Sequence, residues 1–134
     1  MKKIITFGVY DYFHWGHLCL FKQCKKYGDY LIVAVQNGDF ILKYKPNSNI
    51  FYSTEIRVEM VSALKIVDKV MVYNDACPEF LENVDFDILA LGEDHVGERW
   101  DKLSNWCLEN GKEVVRLKRT PGVNSTEIKK IKSN

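Results

Sequence analysis

Lys2-Lys3-Ile4-Ile5-Thr6-Phe7-Gly8-Val9-Tyr10-Asp11-Tyr12-Phe13-His14-Trp15-Gly16-His17 opens the chain, and its reading sets the fold. Residues 2–7 predict a buried strand. The apolar run at 4–7 is too short for a signal peptide and is followed by Asp11 and His14. The glycine at 8 ends the strand, and two histidines three residues apart stand where the pattern turns helical. A helix N-terminus carries unpaired N–H groups and partial positive charge, so this corner is suited to bind phosphate. Gly8 and Gly16 predict close approach of backbone to a ligand. The histidines add hydrogen-bond donors. The plain alternative is a histidine pair that only caps a helix.

Outward from this corner, strand and helix patterns alternate. Residues 18–27 are amphipathic, with Gly28 expected as a C-cap. Residues 30–35 form a second apolar run, and 37–52 read as polar and irregular. Ser53 or Thr54 starts a helix to about 66. Residues 68–73 predict a third strand, and Pro78 opens a short helix to about 83. Residues 86–91 predict a fourth strand, 100–110 a helix stopped by Gly111, 114–117 a fifth strand and 125–131 a last helix. Near-continuous apolar strands separated by helices predict a five-stranded parallel sheet covered on both faces. The expected fold is α/β, one doubly wound, Rossmann-like domain over residues 1–134. Such sheets bind ligands beyond the carboxyl ends of their strands.

A chain of 134 residues suits one domain. The formal net charge of +1 gives no broad attraction for nucleic acid or membranes. No stretch has the ~20 apolar residues of a membrane span. Cys19, Cys24, Cys77 and Cys107 form no Cys-x-x-Cys pair, which predicts reduced thiols and a cytoplasmic protein. His14, His17 and a cysteine could meet zinc, but no second close ligand pair accompanies them, so no metal site is expected within the protein.

Further polar clusters fall at strand ends. Arg119-Thr120-Pro121-Gly122-Val123-Asn124-Ser125-Thr126 places an arginine, a turn and hydroxyls before the last helix, a second anion-binding pattern. Asn124 with Glu127 also reads as a capping box. Lys43 and Lys45 flank Tyr44 in the segment read as irregular. Glu93 and Asp94 follow Gly92, where acids hold ribose hydroxyls or Mg²⁺.

The string Gly8-Val9-Tyr10-Asp11-Tyr12-Phe13-His14-Trp15-Gly16-His17 resembles the signature of the HxGH nucleotidyltransferases, and within them the cytidylyltransferase branch, especially members acting on glycerol 3-phosphate. The Arg119–Thr126 string resembles that branch's RTxGxST motif, with Asn124 in place of its usual serine. The resemblance implies transfer from CTP to a phosphorylated alcohol by in-line attack at the α-phosphorus, with Mg²⁺ accompanying CTP, and a homodimer. It implies catalytic roles for His14, His17, Lys45 and Arg119. Gly8, Val9, Tyr10, Asp11, Trp15 and Gly16 would join them in binding nucleotide, with Asp94. So would Thr120, Gly122, Val123, Asn124, Ser125 and Thr126. Lys43, Lys45, Arg57 and Lys65 would bind acceptor, although Lys65 stands where relatives carry arginine. Ala76 and Glu79 replace a tryptophan and a lysine of relatives. The two motif strings imply glycerol 3-phosphate as the expected acceptor, while these departures keep another polyol phosphate, phosphoethanolamine or phosphocholine as alternatives. An adenylyltransferase and a non-catalytic nucleotide-binding protein are the other readings.

Overall fold

A computed structural model describes residues 1–118. Five strands, β1 (Lys3–Gly8), β2 (Tyr30–Gln36), β3 (Lys69–Tyr73), β4 (Ile88–Leu91) and β5 (Glu113–Arg116), form one sheet in the order β3-β2-β1-β4-β5. Every pairing is parallel. The chain builds outward from β1 to β3, then returns to the other side of β1 for β4. The switch point therefore lies between the carboxyl ends of β1 and β4, where such sheets open a crevice.

The strand sequences explain the two covered faces. Ile4, Leu31, Val33, Ile88 and Ala90 pack with Phe21 and Cys24 of α1 (Trp15–Tyr27). Val61 of the later helix spanning Thr54–Ser62 joins them. Ile5, Phe7, Ile32, Leu89 and Leu91 face the other way, against Leu81, Leu103 and Cys107. Adjacent residues of one strand thus enter opposite cores. Burying an isoleucine or leucine fully contributes about 1.5–3 kcal/mol, so both layers hold the sheet.

Three sequence expectations change. Residues 37–52 are not wholly irregular, because α2 spans Gly38–Tyr44. Asn37 caps it by accepting from the Asp39 N–H at 3.0 Å. The Thr54–Ser62 helix is α3; it stops short of residue 66, and Ser53 caps it through the Ile56 N–H. Gly28 ends α1 in extended geometry rather than a left-handed cap. Its requirement is steric: a Cβ there would lie 3.0 Å from the Lys2 carbonyl and 3.1 Å from Ile4. The remaining helices, α4 (Pro78–Leu81) and α5 (Glu98–Glu109), agree in place with the sequence pattern. The helix expected at 125–131 lies outside the described residues. No helix of the described residues is long and apolar enough to cross a membrane.

Candidate active site

The β1–α1 corner is built by a reciprocal pair of histidines. His14 is the N-cap of α1, and its Nδ1 accepts the Gly16 N–H at 3.0 Å. The His14 N–H in turn donates to Nδ1 of His17 at 3.2 Å. This is a capping box in which imidazoles do the work usually done by hydroxyl and carboxyl groups. Because each Nδ1 accepts, each ring carries its proton on Nε2. Among the described residues, neither Nε2 has a protein partner, so both N–H groups remain to meet an anion. The capping and phosphate-binding readings of the pair are therefore compatible, since they use different nitrogens.

The rings are stacked, with centroids 4.0 Å apart. His17 also packs against Phe13 at 5.3 Å and edge-on to Tyr10 at 5.3 Å. Burial, and then the neighbouring His14, lowers the His17 pKa to about 4. Burial lowers that of His14 as well. The free corner is thus neutral at pH 7 and offers N–H donors and a helix N-terminus rather than a cationic histidine.

The preceding turn has its own constraints. Tyr10 adopts φ 58°, uncommon for a non-glycine residue and costing on the order of 1 kcal/mol. Its ring covers Gly8, where a Cβ would fall 2.5 Å from the tyrosine ring. The Tyr10 ring therefore leaves no room for a side chain at residue 8. Asp11, 7% exposed, accepts the N–H groups of Phe51 and Tyr52, each at 2.7 Å. Its oxygens anchor the entry to α3. Val9 and Trp15 are exposed at this edge, and Lys22 lies 4.9 Å over the Trp15 ring.

Arg57 is fully buried. Its guanidinium donates to the carbonyls of Val9 at 2.9 Å, Gln36 at 2.7 Å and Tyr52 at 3.2 Å, and to the Thr54 hydroxyl at 3.2 Å. It ties the ends of β1 and β2 to the start of α3. Here the guanidinium acts as a clamp, its planar fork engaged by protein oxygens from three segments.

Across the switch point, the register of Thr6 opposite Ala90 carries Gly8 level with Gly92. Glu93 and Asp94 follow, exposed. Leu117 donates to the Leu91 carbonyl and packs on the α1 side, and the Lys118 carbonyl accepts from Gln23 of α1 at 3.0 Å. The chain thus reaches residue 118 beside α1. Arg119, Thr120, Gly122, Val123, Asn124, Ser125 and Thr126 lie outside the described residues.

The sequence matches the family described as Cytidylyltransferase-like over residues 5–131. The chain belongs to the cytidylyltransferase-like family. The glycerol-3-phosphate cytidylyltransferases of Bacillus subtilis (strain 168) and Staphylococcus aureus (strain NCTC 8325 / PS 47) are 34% and 36% identical to it. Those alignments cover 96% of this chain and 95% and 93% of the relatives. An FAD synthase of Aciduliprofundum boonei (strain DSM 19572 / T469) is 34% identical over 126 residues, 89% of this chain and 80% of that protein. The crystal structure of the lipopolysaccharide core biosynthesis protein from Thermoplasma volcanium GSS1 superposes with a TM-score of 0.72 at 25% identity, covering 90% of this chain and 97% of that one.

The remaining sequence candidates of this cytidylyltransferase-like chain are not all at the corner. Lys43 is exposed in the last turn of α2, its ammonium 5.5 Å over the Tyr44 ring. Lys45 is the exposed C-cap of that helix. Lys65 is exposed in the turn before β3, at the amino end of the sheet, opposite the histidines. Within one chain it is thus placed away from the expected acceptor site. Ala76 is buried in the core, and the Glu79 carboxylate is held by its own N–H and the Cys77 thiol. A cavity of about 660 Å³ lies between α2 and α3, bordered by Leu42, Phe51, Thr54 and Arg57. None of His14, His17 or Gly92 lines it, and the donor chemistry of the corner identifies the candidate site better than this concavity does. Sequence reasoning missed His95, whose Nδ1 accepts the Gly92 N–H at 2.9 Å. The signal was present, since a histidine three residues after a glycine that ends a strand can close a turn on its own loop. Among the described residues there is no group of three or more histidine, cysteine or acidic side chains that could hold a metal.

Proposed function

We propose that this chain, as one domain over residues 1–134, is a glycerol-3-phosphate cytidylyltransferase that converts CTP and glycerol 3-phosphate into CDP-glycerol and pyrophosphate. The observation that carries the reading is the histidine capping box, which leaves two Nε2–H donors at a helix N-terminus on the switch-point edge. Near-full-length similarity to glycerol-3-phosphate cytidylyltransferases supplies the substrates.

A phosphate oxygen of the acceptor attacks the α-phosphorus of CTP in line. The new P–O bond forms as the bond to the bridging oxygen breaks and pyrophosphate leaves. Positioning and charge stabilisation supply most of the catalysis for such a transfer. His14 and His17 donate to α- and β-phosphate oxygens as charge moves to the leaving group, where fixed N–H donors are most effective. Lys45, Lys43 and Arg119 add positive charge. Gly8–Asp11, Trp15 and Gly16 shape the nucleotide side. Thr120, Gly122, Val123, Asn124, Ser125 and Thr126 hold the outer phosphates, and Asp94 the ribose. Cys24 and Cys107 take no part: burial raises their thiols to about 12 and about 11, so they stay protonated.

Mg²⁺ binds mainly through substrate phosphates and water, with one or two carboxylates, so a protein cage is not required. Glu93 and Asp94 are the exposed carboxylates at this edge that fit it. When bound, Mg²⁺ neutralises triphosphate charge. The chain is proposed to act in the cytoplasm as a homodimer.

The test is pyrophosphate release from CTP or ATP with glycerol 3-phosphate, ribitol 5-phosphate, phosphoethanolamine and phosphocholine. CTP with glycerol 3-phosphate is expected to give the highest kcat/KM. The FAD synthase relative makes adenylyl transfer the second reading, and preference for ATP would establish it. Glu79 gives no support to a zwitterionic acceptor, because its carboxylate is engaged at the start of α4.

A further inference from the structure

Beyond β4, residues 92–97 fold around one imidazole. The Gly92 N–H donates to Nδ1 of His95 at 2.9 Å, while the His95 N–H returns a bond to the Gly92 carbonyl at 3.1 Å. The His95 ring packs on Trp100 of α5 at 4.3 Å, and Trp100 packs on Phe7 at 5.8 Å. The ring also interacts with the Phe7 backbone, one residue before Gly8. From β5, the Arg116 guanidinium donates to the carbonyls of both Gly92 and His95. One side chain therefore fastens the loop to the end of β1 and to α5, while Arg116 fastens it to β5. Glu93 and Asp94 stand exposed on this fastened turn.

We propose that His95 is a positioning residue for the nucleotide: its imidazole fixes the shape of the loop after β4 that receives the nucleoside end of the substrate. This rests on the reading of the chain as a CTP-dependent transferase. The histidine corner has its own capping box, so loss of His95 moves the loop carrying Asp94 more than it moves His14 and His17. The phosphate end and the nucleoside end are thereby separable. His95 does not touch the reacting atoms; it acts through the loop.

The test uses the full chain and two variants. His95→Phe keeps a ring against Trp100 and removes the acceptor for the Gly92 N–H. His95→Asn places an amide oxygen near the position of Nδ1 and keeps that acceptor. His95→Phe is expected to raise the CTP KM about tenfold, the order set by one lost hydrogen bond, with saturated kcat changed by no more than about twofold. The glycerol 3-phosphate KM stays unchanged, and His95→Asn restores part of the CTP KM. CMP should inhibit His95→Phe less well than it inhibits wild type, whereas inorganic triphosphate should inhibit both equally. An unchanged CTP KM, or equal weakening of CMP and inorganic triphosphate, would overturn the proposal.

If His95→Phe does not fold, wild-type NMR decides. CMP should shift the Gly92 amide and His95 ring signals, and inorganic triphosphate should leave them in place. The reverse pattern, or no shift with either, contradicts the proposal. A wild-type protein that turns over ATP and ignores CTP overturns the cytidylyltransferase reading instead, and the inference falls with it.

Discussion

His14 and His17 each have two jobs carried by different atoms, and that division can be measured. Nδ1 closes the helix cap and Nε2–H faces outward. Asparagine is a favoured N-cap and places an oxygen near the Nδ1 position, but has no group at Nε2. His14→Asn should keep thermal stability close to wild type, because an N-cap is worth about 1 kcal/mol and is retained. His14→Asn and His17→Asn should each still lower kcat by roughly a hundredfold, the scale of one lost transition-state donor. Near-normal turnover in both folded variants would reduce the pair to capping. This corner was legible in sequence because its residues are contiguous and glycine and histidine have few roles at such spacing. Arg57 was not. Its partners Val9 and Gln36 lie 48 and 21 residues away, and a charged residue on a helix reads from sequence as solvent-facing.

At the scale of elements, Arg57 and Asp11 lock three chain segments into the platform beneath the corner. Burial lowers the Arg57 pKa, and Asp11 partly offsets this. Arg57→Ala leaves the carbonyls of Val9, Gln36 and Tyr52 without this donor and Asp11 without its neighbouring charge. It should destabilise the fold by about 3–5 kcal/mol, seen as a lower midpoint in urea denaturation. Arg57→Lys should recover only part, because an ammonium does not reproduce the planar fork. A stable Arg57→Ala with only a raised acceptor KM would instead restore the direct-contact role. Helix α2 was missed because seven residues give little intrinsic helical signal, and its ends depend on Asn37 and on contacts with α3. Its two lysines now separate. Lys43 rests on Tyr44, whereas Lys45 is the exposed C-cap of the helix. Lys45→Ala should raise acceptor KM more than Lys43→Ala does, as steady-state kinetics would show; the opposite order would assign the role to Lys43.

For the whole molecule, the parallel sheet was readable because strands buried on both faces lose their polar alternation. The loop held by His95 was not readable, because its closure depends on Trp100, Phe7 and Arg116 from three other elements. The three histidines also give the fold a common acid response. His17 and His95 have pKa values lowered to about 4, and His14 is lowered too, each chiefly by burial. Below the ordinary value of 6.5 the unfolded chain takes up protons that the native histidines refuse. Stability should therefore be level above pH 7 and fall as pH drops from 6.5 towards 4. Thermal denaturation across that range checks this, and a flat Tm down to pH 4 would contradict it. The central claim is chemical, and one assay meets it most directly: the full-length protein incubated with CTP, Mg²⁺ and glycerol 3-phosphate, with pyrophosphate and the nucleotide product both measured. The account predicts equal amounts of pyrophosphate and CDP-glycerol, with at least tenfold lower kcat/KM for ATP, a margin on the order of one to two kcal/mol of differential binding. No CDP-glycerol from CTP, or faster turnover with ATP, would contradict it.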